Sequence, residues 1–438
     1  MAKAKKTGAG RCVGIDFGTT NSAVAVANAG AVIDMARFTF NDQLTENFRS
    51  VLYFEQLKEG IRKHVSALAG PEAIMRYLAA EQKGRLIQSL KSYLASRLLT
   101  STTVLGRPYL LEELLAFLIR SLKEKSQTFL GALGTRAVVG RPVRFSGAET
   151  KKDDEWAVSR LRTAFSNAGF DDVTFEYEPI GAAYYYEIRL DHDELILVAD
   201  FGGGTSDFTL LRVGPSFRRT NADREIVTDG VALAGDAFDA KLVRHLVSPL
   251  LGQGSSYKSI DKELQMPAWI YIKLERWHHL SFLKSKETMD QLKSLRAQAA
   301  EPDKIDSLIH LVSEDLGFYL HSAVQRTKLE LSSQQDTTFS FKVPGISISS
   351  PVTRKEFENW IKEELGVISQ CVDGLLQRTG AYRKSIDKVF LTGGSSFVPA
   401  VRNIFAERFG AERLIVGDEF TSVAKGLALR ALDLNTGK

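Results

Sequence analysis

Residues 194–213 read ELILVADFGGGTSDFTLLRV, and this stretch decides the fold. An apolar run leads to Asp200, three consecutive glycines and Thr205 follow, and a second β-prone run ends at Val213. Two such runs around a glycine turn predict a β-hairpin. Because glycine tolerates positive φ and has no side chain, the turn can bring backbone N–H groups close to a phosphate. A plain tight turn would give the same pattern, since short glycine motifs also occur by chance.

A second stretch near the start of the chain repeats this layout. Residues 12–27 read CVGIDFGTTNSAVAVA, in which a β-prone run leads to Asp16 and Gly18 and an alternating run follows. Both stretches carry Asp-Phe-Gly with a threonine a few residues later, which indicates an ancient duplication of one β-lobe. Two equivalent lobes that face each other would close on a nucleotide from both sides. The pair of motifs therefore favours phosphate binding over a plain turn.

The composition sets limits on the class of protein. At 438 residues the chain can form two or more domains, and 44% hydrophobic with 25% charged residues is ordinary for a soluble protein. A net charge of +4 is too small to indicate nucleic-acid binding. No apolar run reaches the roughly 20 residues of a membrane span, and no signal-peptide pattern occurs. Cys12 and Cys371 lack a metal or redox spacing and favour a reducing compartment. We therefore expect a cytoplasmic protein with a disordered basic tail at residues 1–10 and neither nucleic acid nor membrane as a partner.

Several stretches predict helices. Residues 111–122 place leucines on one stripe, with glutamates at the start and lysines after the end, which indicates an amphipathic helix. The region 72–131 as a whole is predicted to be largely helical, and residues 305–331 are predicted to form one long helix. The last helix, at residues 422–432, contains Gly426 between two alanines. These small residues allow close packing against a second helix around Gly181, which would make a hinge between lobes.

Three further positions are candidates for chemistry. Lys91 lies in QSLKSYL and alone would be interpreted as a solvated surface charge. Glu178 lies at a predicted strand-to-helix turn, just before the second hairpin. Residues 389–399 read VFLTGGSSFVP and predict a strand, paired glycines and a helix, whose backbone can approach a planar base or a ribose. An ordinary β–α turn with glycines for geometry is the alternative for this last segment.

Five ordered stretches, including both hairpins and the segments at Glu178 and at residues 389–399, resemble the actin-like ATPase superfamily. They are most similar to the nucleotide-binding domain of the seventy-kilodalton heat-shock protein family. The resemblance implies an α/β fold with two RNase H-like lobes, two smaller insertions and a central nucleotide cleft. We expect the domain ranges to be lobe I at 11–195 with 46–131 inserted and 419–438 returning, and lobe II at 196–418 with 233–334 inserted. The motifs GRPV at 140–143, Tyr177-Glu178-Pro179 and GDEF at 417–420 look most like the bacterial YegD proteins, which are short chaperone-like members.

The resemblance assigns roles to individual residues. The first phosphate loop would contain Asp16, Gly18, Thr19 and Thr20, and the second Asp200, Gly202, Gly203, Gly204 and Thr205. The catalytic set would be Lys91, Glu178, Asp200 and Thr205. The metal set would be Asp16, Glu178 and Asp200, which order water around Mg²⁺, and Asp207, which helps to hold a monovalent cation such as K⁺. The rest of the nucleotide site would be Gly235, Lys328, Ser332, Gly393, Gly394, Ser395 and Phe397.

These assignments predict Mg²⁺-dependent hydrolysis of ATP to ADP, with lobes that open and close with nucleotide. Phosphoryl transfer to water needs positioning and charge neutralisation more than covalent chemistry. Because Mg²⁺ keeps several waters, a few spread-out carboxylates suffice. Leu329 and Phe397 stand where the family often has basic side chains around adenine, so base stacking here would be apolar. We expect no peptide-binding domain, and the resemblance names no protein client or partner.

Three alternatives stay open. The chain can be a nucleotide-binding interaction module with little or no hydrolysis, which tight ATP binding without turnover would support. It can be a small-molecule kinase, although Asn21 after Thr20 is more typical of heat-shock proteins. It can be a filament-forming actin relative, which ATP-dependent sedimentation would reveal. A serine hydrolase is disfavoured, because no Gly-x-Ser-x-Gly elbow occurs.

Overall fold

The computed structural model describes residues 11–28, 30, 32–40, 43–59, 62–80, 84–218, 226–260, 262–276, 283–380, 385–416 and 422–436. The predictions for the tail at residues 1–10 and for the motif at residues 417–420 lie outside these residues. Contacts divide the chain into two compact units. The first unit comprises Met1–Ala232, Gln370–Gly394 and Phe405–Lys438, and the second comprises Leu233–Ser369 and Ser395–Ile404.

The elements up to residue 187 all belong to the first unit. They are β1 (Cys12–Phe17), β2 (Asn21–Ala27), β3 (Ile33–Met35), β4 (Phe38–Phe40), β5 (Gln43–Thr45), β6 (Phe48–Arg49), β7 (Val51–Glu59), β8 (Arg62–Ala69), α1 (Pro71–Ala79), β9 (Arg85–Gln88), β10 (Ser101–Val104), β11 (Arg107–Leu110), α2 (Leu111–Leu130), β12 (Arg136–Arg141), α3 (Lys151–Asn167), β13 (Asp172–Tyr177) and α4 (Glu178–Glu187). A single 3₁₀ turn at Leu90–Tyr93 follows β9.

The remaining elements alternate between the two units. They are β14 (Glu194–Phe201), β15 (Ser206–Val213), α5 (Pro215–Arg218), β16 (Ile226–Val231), α6 (Gly235–Leu242), β17 (Ser256–Ser259), β18 (Lys262–Gln265), α7 (Ala268–Glu275), α8 (Lys286–Gln298), α9 (Pro302–Ser313), α10 (Gly317–Ser333), β19 (Asp336–Val343), β20 (Ile346–Thr353), α11 (Arg354–Trp360), α12 (Lys362–Thr379), β21 (Lys388–Thr392), α13 (Pro399–Phe409), β22 (Leu414–Val416) and α14 (Ser422–Thr436). A π-helical turn at Val243–Val247 and 3₁₀ turns at Ser248–Leu251, Gly394–Phe397 and Ala411–Arg413 complete this part.

Two sheets of the first unit share one topology. The first has the strand order β13-β12-β1-β2-β3, with β6 also paired to β2, and the second has the order β16-β15-β14-β21-β22. In each, a central antiparallel hairpin has a third antiparallel strand on one side and two parallel strands on the other. The duplication that the two glycine motifs indicate is therefore present in the connectivity of both sheets. Both predicted hairpins are confirmed.

One hydrophobic core joins both sheets within the first unit. It includes Val138 of the first sheet and Ile196 of the second, together with Ala183 of α4 and Leu427 of α14. The second hairpin contributes apolar residues of both β14 and β15 to this core, whereas among the described residues the first hairpin contributes Cys12. Because the two sheets share this core, the turns at the ends of β1 and β14 are held within a single compact unit.

The sequence-based prediction of one helical region at residues 72–131 is wrong in its middle. Strands β9, β10 and β11 lie between α1 and α2. β10 and β11 pair through Val104 and Arg107, and the two residues of the turn, Leu105 and Gly106, both have positive φ. A two-residue turn with positive φ at both positions matches the twist of a hairpin. The prediction is confirmed for α2, whose buried leucines form the expected stripe.

The single long helix predicted at residues 305–331 is also wrong. The segment forms α9 and α10, and Asp315 between them has a φ of 53°. The N–H of Leu316 donates to the carbonyl of Leu311 and that of Asp315 to the carbonyl of Val312, which is the bonding pattern of a Schellman C-cap. An aspartate tolerates the left-handed region better than most residues, so it can end a helix where glycine is usual.

None of the helices within the described residues combines the length and apolar character needed to cross a bilayer.

Candidate active site

The two glycine turns differ in the room that their glycines have. An added Cβ would clash with backbone at Gly18, but it would make ordinary contact at Gly202 and meet nothing within 4 Å at Gly204. In the first turn, a Cβ on Gly18 would lie 2.1 Å from the carbonyl oxygen of Asn21. In the second, the N–H of Gly202 donates to the carbonyl of Thr205 at 2.9 Å, and the Thr205 hydroxyl donates to the Asp207 carboxylate at 3.0 Å. Glycine therefore determines the geometry at Gly18, and the Asp207 side chain orients Thr205.

Ser50, which was not among the predicted site residues, supports the first turn. Its hydroxyl donates to the carbonyl of Gly18 at 2.8 Å and lies 2.9 Å from the hydroxyl of Ser22. Its backbone N–H donates to the carbonyl of Thr20 at 2.9 Å. The sequence signal for this contact is weak, since it consists of one small polar residue between two strands. The turn is thus held from the side by a residue that lies between β6 and β7.

Lys91 forms an ion pair with Glu178. The Lys91 Nζ lies 2.7 Å from the Glu178 Oε1, and only 7% and 12% of the two side chains are exposed. Lys91 lies in the 3₁₀ turn after β9, and Glu178 is the first residue of α4 directly after β13. A Cβ on Gly140 of the neighbouring strand would come within 3.0 Å of the Glu178 Cγ, so glycine leaves the space for this carboxylate. Lys91 is therefore not a solvated surface charge.

Buried carboxylates of both glycine turns influence one another and this ion pair. Burial and the nearby Glu178 and Asp200 carboxylates raise the pKa of Asp16 to about 8, and Lys91 opposes this rise. Burial and Glu178 raise the pKa of Asp200 to about 6, although a 2.7 Å hydrogen bond from the Thr392 hydroxyl favours its charged form. The two turns, which lie far apart in sequence, thus place their carboxylates in one electrostatic cluster.

Asp207 belongs to the same cluster. Burial, followed by the Asp200 and Glu178 carboxylates, raises the pKa of Asp207 well above its ordinary value. In the β14–β15 pair, Asp207 lies directly opposite Asp200. Four carboxyl groups therefore gather around Lys91, and the raised pKa values of Asp16, Asp200 and Asp207 mean that the four do not all carry a charge near neutral pH unless a further cation joins them.

This cluster of carboxyl groups suits a bound cation, which would favour their charged forms. Among the described residues, no group of three His, Cys, Asp or Glu side chains comes close enough to hold a metal directly. Mg²⁺ typically keeps several waters and takes only one or two carboxylates, so separated acids suit an ion that is held mainly through water. The residues Asp16, Glu178 and Asp200 would then provide the charge and accept hydrogen bonds from those waters.

The predicted site residues divide between the two units. The first unit contains Asp16, Gly18, Thr19, Thr20, Lys91, Glu178, Asp200, Gly202, Gly203, Gly204, Thr205, Asp207, Gly393 and Gly394. The second contains Gly235, Lys328, Ser332, Ser395 and Phe397. Gly393 has a φ of 82°, and a Cβ on it would lie 2.1 Å from the carbonyl oxygen of Phe201. This glycine therefore allows β21 to approach the strand that leads into the second turn.

Lys328 organises the predicted residues of the second unit. Its Nζ lies 2.7 Å from the Asp239 Oδ1 and donates to the carbonyl of Gly235 at 3.3 Å. The Ser332 hydroxyl donates to the carbonyl of Lys328, so it bonds to its own helix. Burial and Asp239 raise the pKa of Asp236 to about 6. Asp239 was not predicted, because nothing in its local sequence indicates that it pairs with a lysine far along the chain.

The predicted base-stacking residues differ in exposure. Leu329 is 62% exposed, whereas Phe397 is half-buried. The guanidinium of Arg402 lies 5.6 Å from the centre of the Phe397 ring, so this aromatic face already contacts a cation.

A family model described as Hsp70 protein matches residues 80–271 and 302–437, which is more than half of the chain. The chain belongs to the Hsp70 family. The Hsp70 family has the actin-like ATPase fold, so the family and the fold class that the motifs predicted are both confirmed. Membership of this family implies ATP binding.

A chaperone protein DnaK of Thermosipho melanesiensis is similar to this Hsp70-family chain. The two are 24% identical over 429 residues, which cover 96% of this chain and 58% of that DnaK. The chain therefore spans less than two thirds of the length of this relative.

Proposed function

We propose that this Hsp70-family chain binds ATP with Mg²⁺ and hydrolyses it slowly to ADP and phosphate. The observation that carries the proposal is the buried Lys91–Glu178 pair, which lies in one electrostatic cluster with Asp16 and Asp200 of the two glycine turns. A lysine and several carboxylates around two phosphate-type turns supply what phosphoryl transfer requires, which is charge neutralisation and positioning.

Each group of this cluster has a distinct task in the proposed reaction. Backbone N–H groups of the turns bind phosphate oxygens, because the glycines allow close approach. Lys91 supplies the positive charge that stabilises the charge developing on the transferred phosphoryl group. Thr205, oriented by its bond to Asp207, holds the attacking water with Lys91. Asp16, Glu178 and Asp200 would hold hydrated Mg²⁺, which neutralises phosphate charge when it is bound.

We also propose that nucleotide opens and closes the lobes and that the chain acts as a YegD-like, chaperone-related protein in the cytoplasm. The small-residue crossing of α4 and α14 supports the first part, because α4 begins at Glu178 and so links the ion pair to the helix crossing. Small-angle scattering of the protein with ADP and with a non-hydrolysable ATP analogue tests the proposed opening and closing of the lobes. Identical scattering curves would contradict nucleotide-driven motion.

A phosphate-release assay tests the proposed reaction. Purified protein should release phosphate from ATP only when Mg²⁺ is present. Lys91→Ala and Asp200→Asn should each lower turnover roughly 100-fold or more, because each removes a buried charge that acts on the transition state. Undiminished turnover in both variants would refute the site assignment.

Matched control variants separate the site from general effects of charge. Lys125→Ala and Asp172→Asn also remove a lysine and an aspartate, but from exposed ion pairs with Glu72 and Arg136. Both controls should retain wild-type turnover, since exposed ion pairs contribute little to stability. Tight ATP binding without any turnover by the wild type would instead support a nucleotide-dependent interaction module, and phosphate transfer to a sugar would support a kinase.

A further inference from the structure

Arg160 of α3 is a buried arginine that the proposed function does not use. Its residue exposure is 3%, and its guanidinium donates to four backbone carbonyls of one short segment. The acceptors are the carbonyls of Tyr93 at 3.4 Å, Leu94 at 3.3 Å, Ser96 at 3.1 Å and Leu99 at 3.2 Å. A single side chain thus fixes the path of residues 93–99.

The guanidinium also forms an ion pair. The Nε of Arg160 donates to the Oε1 of Glu112, which lies in the first turn of α2, and the two side chains are 2% and 18% exposed. Arginine offers five N–H donors in a rigid plane, whereas lysine offers three donors on one nitrogen. Only arginine therefore reaches this spread of acceptors from one position. An apolar replacement would leave buried carbonyls without this donor.

The segment that Arg160 holds begins two residues after Lys91. The 3₁₀ turn at Leu90–Tyr93 contains Lys91, and the N–H of Leu94 donates to the carbonyl of Lys91 at 3.2 Å. On the other side of the turn, Ser89 has a φ of 54°, a left-handed conformation that is uncommon for a residue with a side chain. Such a conformation persists only where the surroundings enforce it. The turn is thus restrained on both sides, by the backbone conformation of Ser89 before it and by the bonds of Arg160 at its end and beyond.

We propose that Arg160 is a positioning residue for ATP hydrolysis, which holds the turn that carries Lys91 so that its ammonium group stays in the carboxylate cluster. This inference rests on the proposed function for its catalytic consequence. Within the described part of the chain, Arg160 bonds to backbone carbonyls and Glu112 and lies over the ring of Trp156, so it acts on the reaction through Lys91.

Steady-state kinetics of Arg160→Met tests the consequence for hydrolysis. We expect kcat to fall roughly 10- to 100-fold, because a catalytic group displaced by about 1 Å loses this much, while KM and ADP affinity stay close to wild type. The kcat of Arg160→Lys should lie between those of the wild type and Arg160→Met, since the lysine ammonium group can replace some of the hydrogen bonds of the guanidinium. Should Arg160→Met fail to fold, the lysine variant gives the same comparison.

Arg162→Met is the matched control. Arg162 lies on the same helix and donates to a backbone carbonyl, that of Val173 at 2.7 Å, but it does not bond to the segment after Lys91. Its kcat should equal that of the wild type. Equal losses of kcat in both arginine variants would show a general effect on α3 and would overturn the proposal.

A double variant separates positioning from loss of stability. In a Lys91→Ala background, Arg160→Met should lower kcat no further, because the residue through which it acts is gone. An additional loss of the same size as in the wild-type background would overturn the proposal.

Amide hydrogen exchange of the nucleotide-free protein gives a readout that does not depend on hydrolysis. Residues 90–99 should exchange faster in Arg160→Met and remain at the wild-type rate in Arg162→Met. Unchanged exchange in Arg160→Met would overturn the positioning role, whether or not the wild type hydrolyses ATP. Absence of hydrolysis by the wild type, with faster exchange in Arg160→Met, would overturn the proposed function but support the placement of Lys91 by Arg160.

Discussion

Gly426 of α14 lies against the backbone of Gly181 in α4, so closely that a Cβ on Gly426 would come within 1.7 Å of the Gly181 carbonyl oxygen. The obstacle is backbone and not the end of a flexible side chain, so it cannot move aside without displacing a helix. Glu178, which forms the ion pair with Lys91, is the first residue of α4, so this crossing also fixes the position of Glu178. The packing of two helices and the position of a charged site residue therefore depend on the same pair of glycines.

Gly426→Ala should consequently destabilise the protein. We expect the free energy of unfolding to fall by about 1–3 kcal/mol, the usual cost of forcing extra volume into a packed interface. Gly366→Ala is the control, because an added Cβ on Gly366 in α12 meets no described atom within 4 Å. In the control, alanine should be neutral or stabilise the helix by up to about 1 kcal/mol. Urea denaturation measures both, and equal midpoints for the two variants would contradict the tight crossing.

The stability of the nucleotide-free protein should depend on pH through Asp16. Burial and neighbouring carboxylates raise the pKa of Asp16 to about 8 in the folded state, whereas an exposed aspartate titrates near 4. Between about pH 4 and pH 8 the folded state therefore binds more protons than the unfolded state, and the free energy of unfolding falls as the pH rises. The slope for one proton is at most about 1.4 kcal/mol per pH unit.

Urea denaturation at several pH values between 5.5 and 8, with a chelator present, measures this dependence. Asp16→Asn should show a shallower decline, because the amide does not titrate. Addition of Mg²⁺ and ADP should raise the free energy of unfolding of the wild type, and the increase should be largest near pH 8. At that pH the carboxylates are charged and bind a cation most favourably. Parallel slopes for the wild type and Asp16→Asn would show that Asp16 does not carry the pH dependence.

Local sequence was sufficient to predict the hairpins and the close helix crossing. The apolar runs around each glycine turn predict strands. The small residues around Gly181 and Gly426 indicate that two helices pack closely at these positions. Asp16 and Asp200 were predictable because they directly precede these turns. Each of these predictions depends on short local patterns of sequence.

Other features could not be predicted, because they depend on chain segments that meet only after folding. Asp239 gains its role from Lys328, Ser50 from the carbonyl of Gly18, and Arg160 from carbonyls of residues 93–99. The break between α9 and α10 has a different cause, since an aspartate at the left-handed cap position does not interrupt the apolar periodicity. The strands between α1 and α2 are short, and four-residue runs carry too little periodicity to be distinguished from helix.

Thr392→Val should shift the pH dependence of ATP hydrolysis. The Thr392 hydroxyl donates to the Asp200 Oδ1 at 2.7 Å and favours the charged carboxylate, so its loss raises the pKa of Asp200 above its value of about 6. If the charged form is the active one, the acidic limb of the pH–rate profile moves to higher pH. Thr209→Val is the matched control, since the buried Thr209 hydroxyl has no hydrogen-bond partner among the described residues and valine should be neutral or stabilising there. An unchanged acidic limb in Thr392→Val, or the same shift in Thr209→Val, would show that this hydrogen bond does not control the ionisation of Asp200.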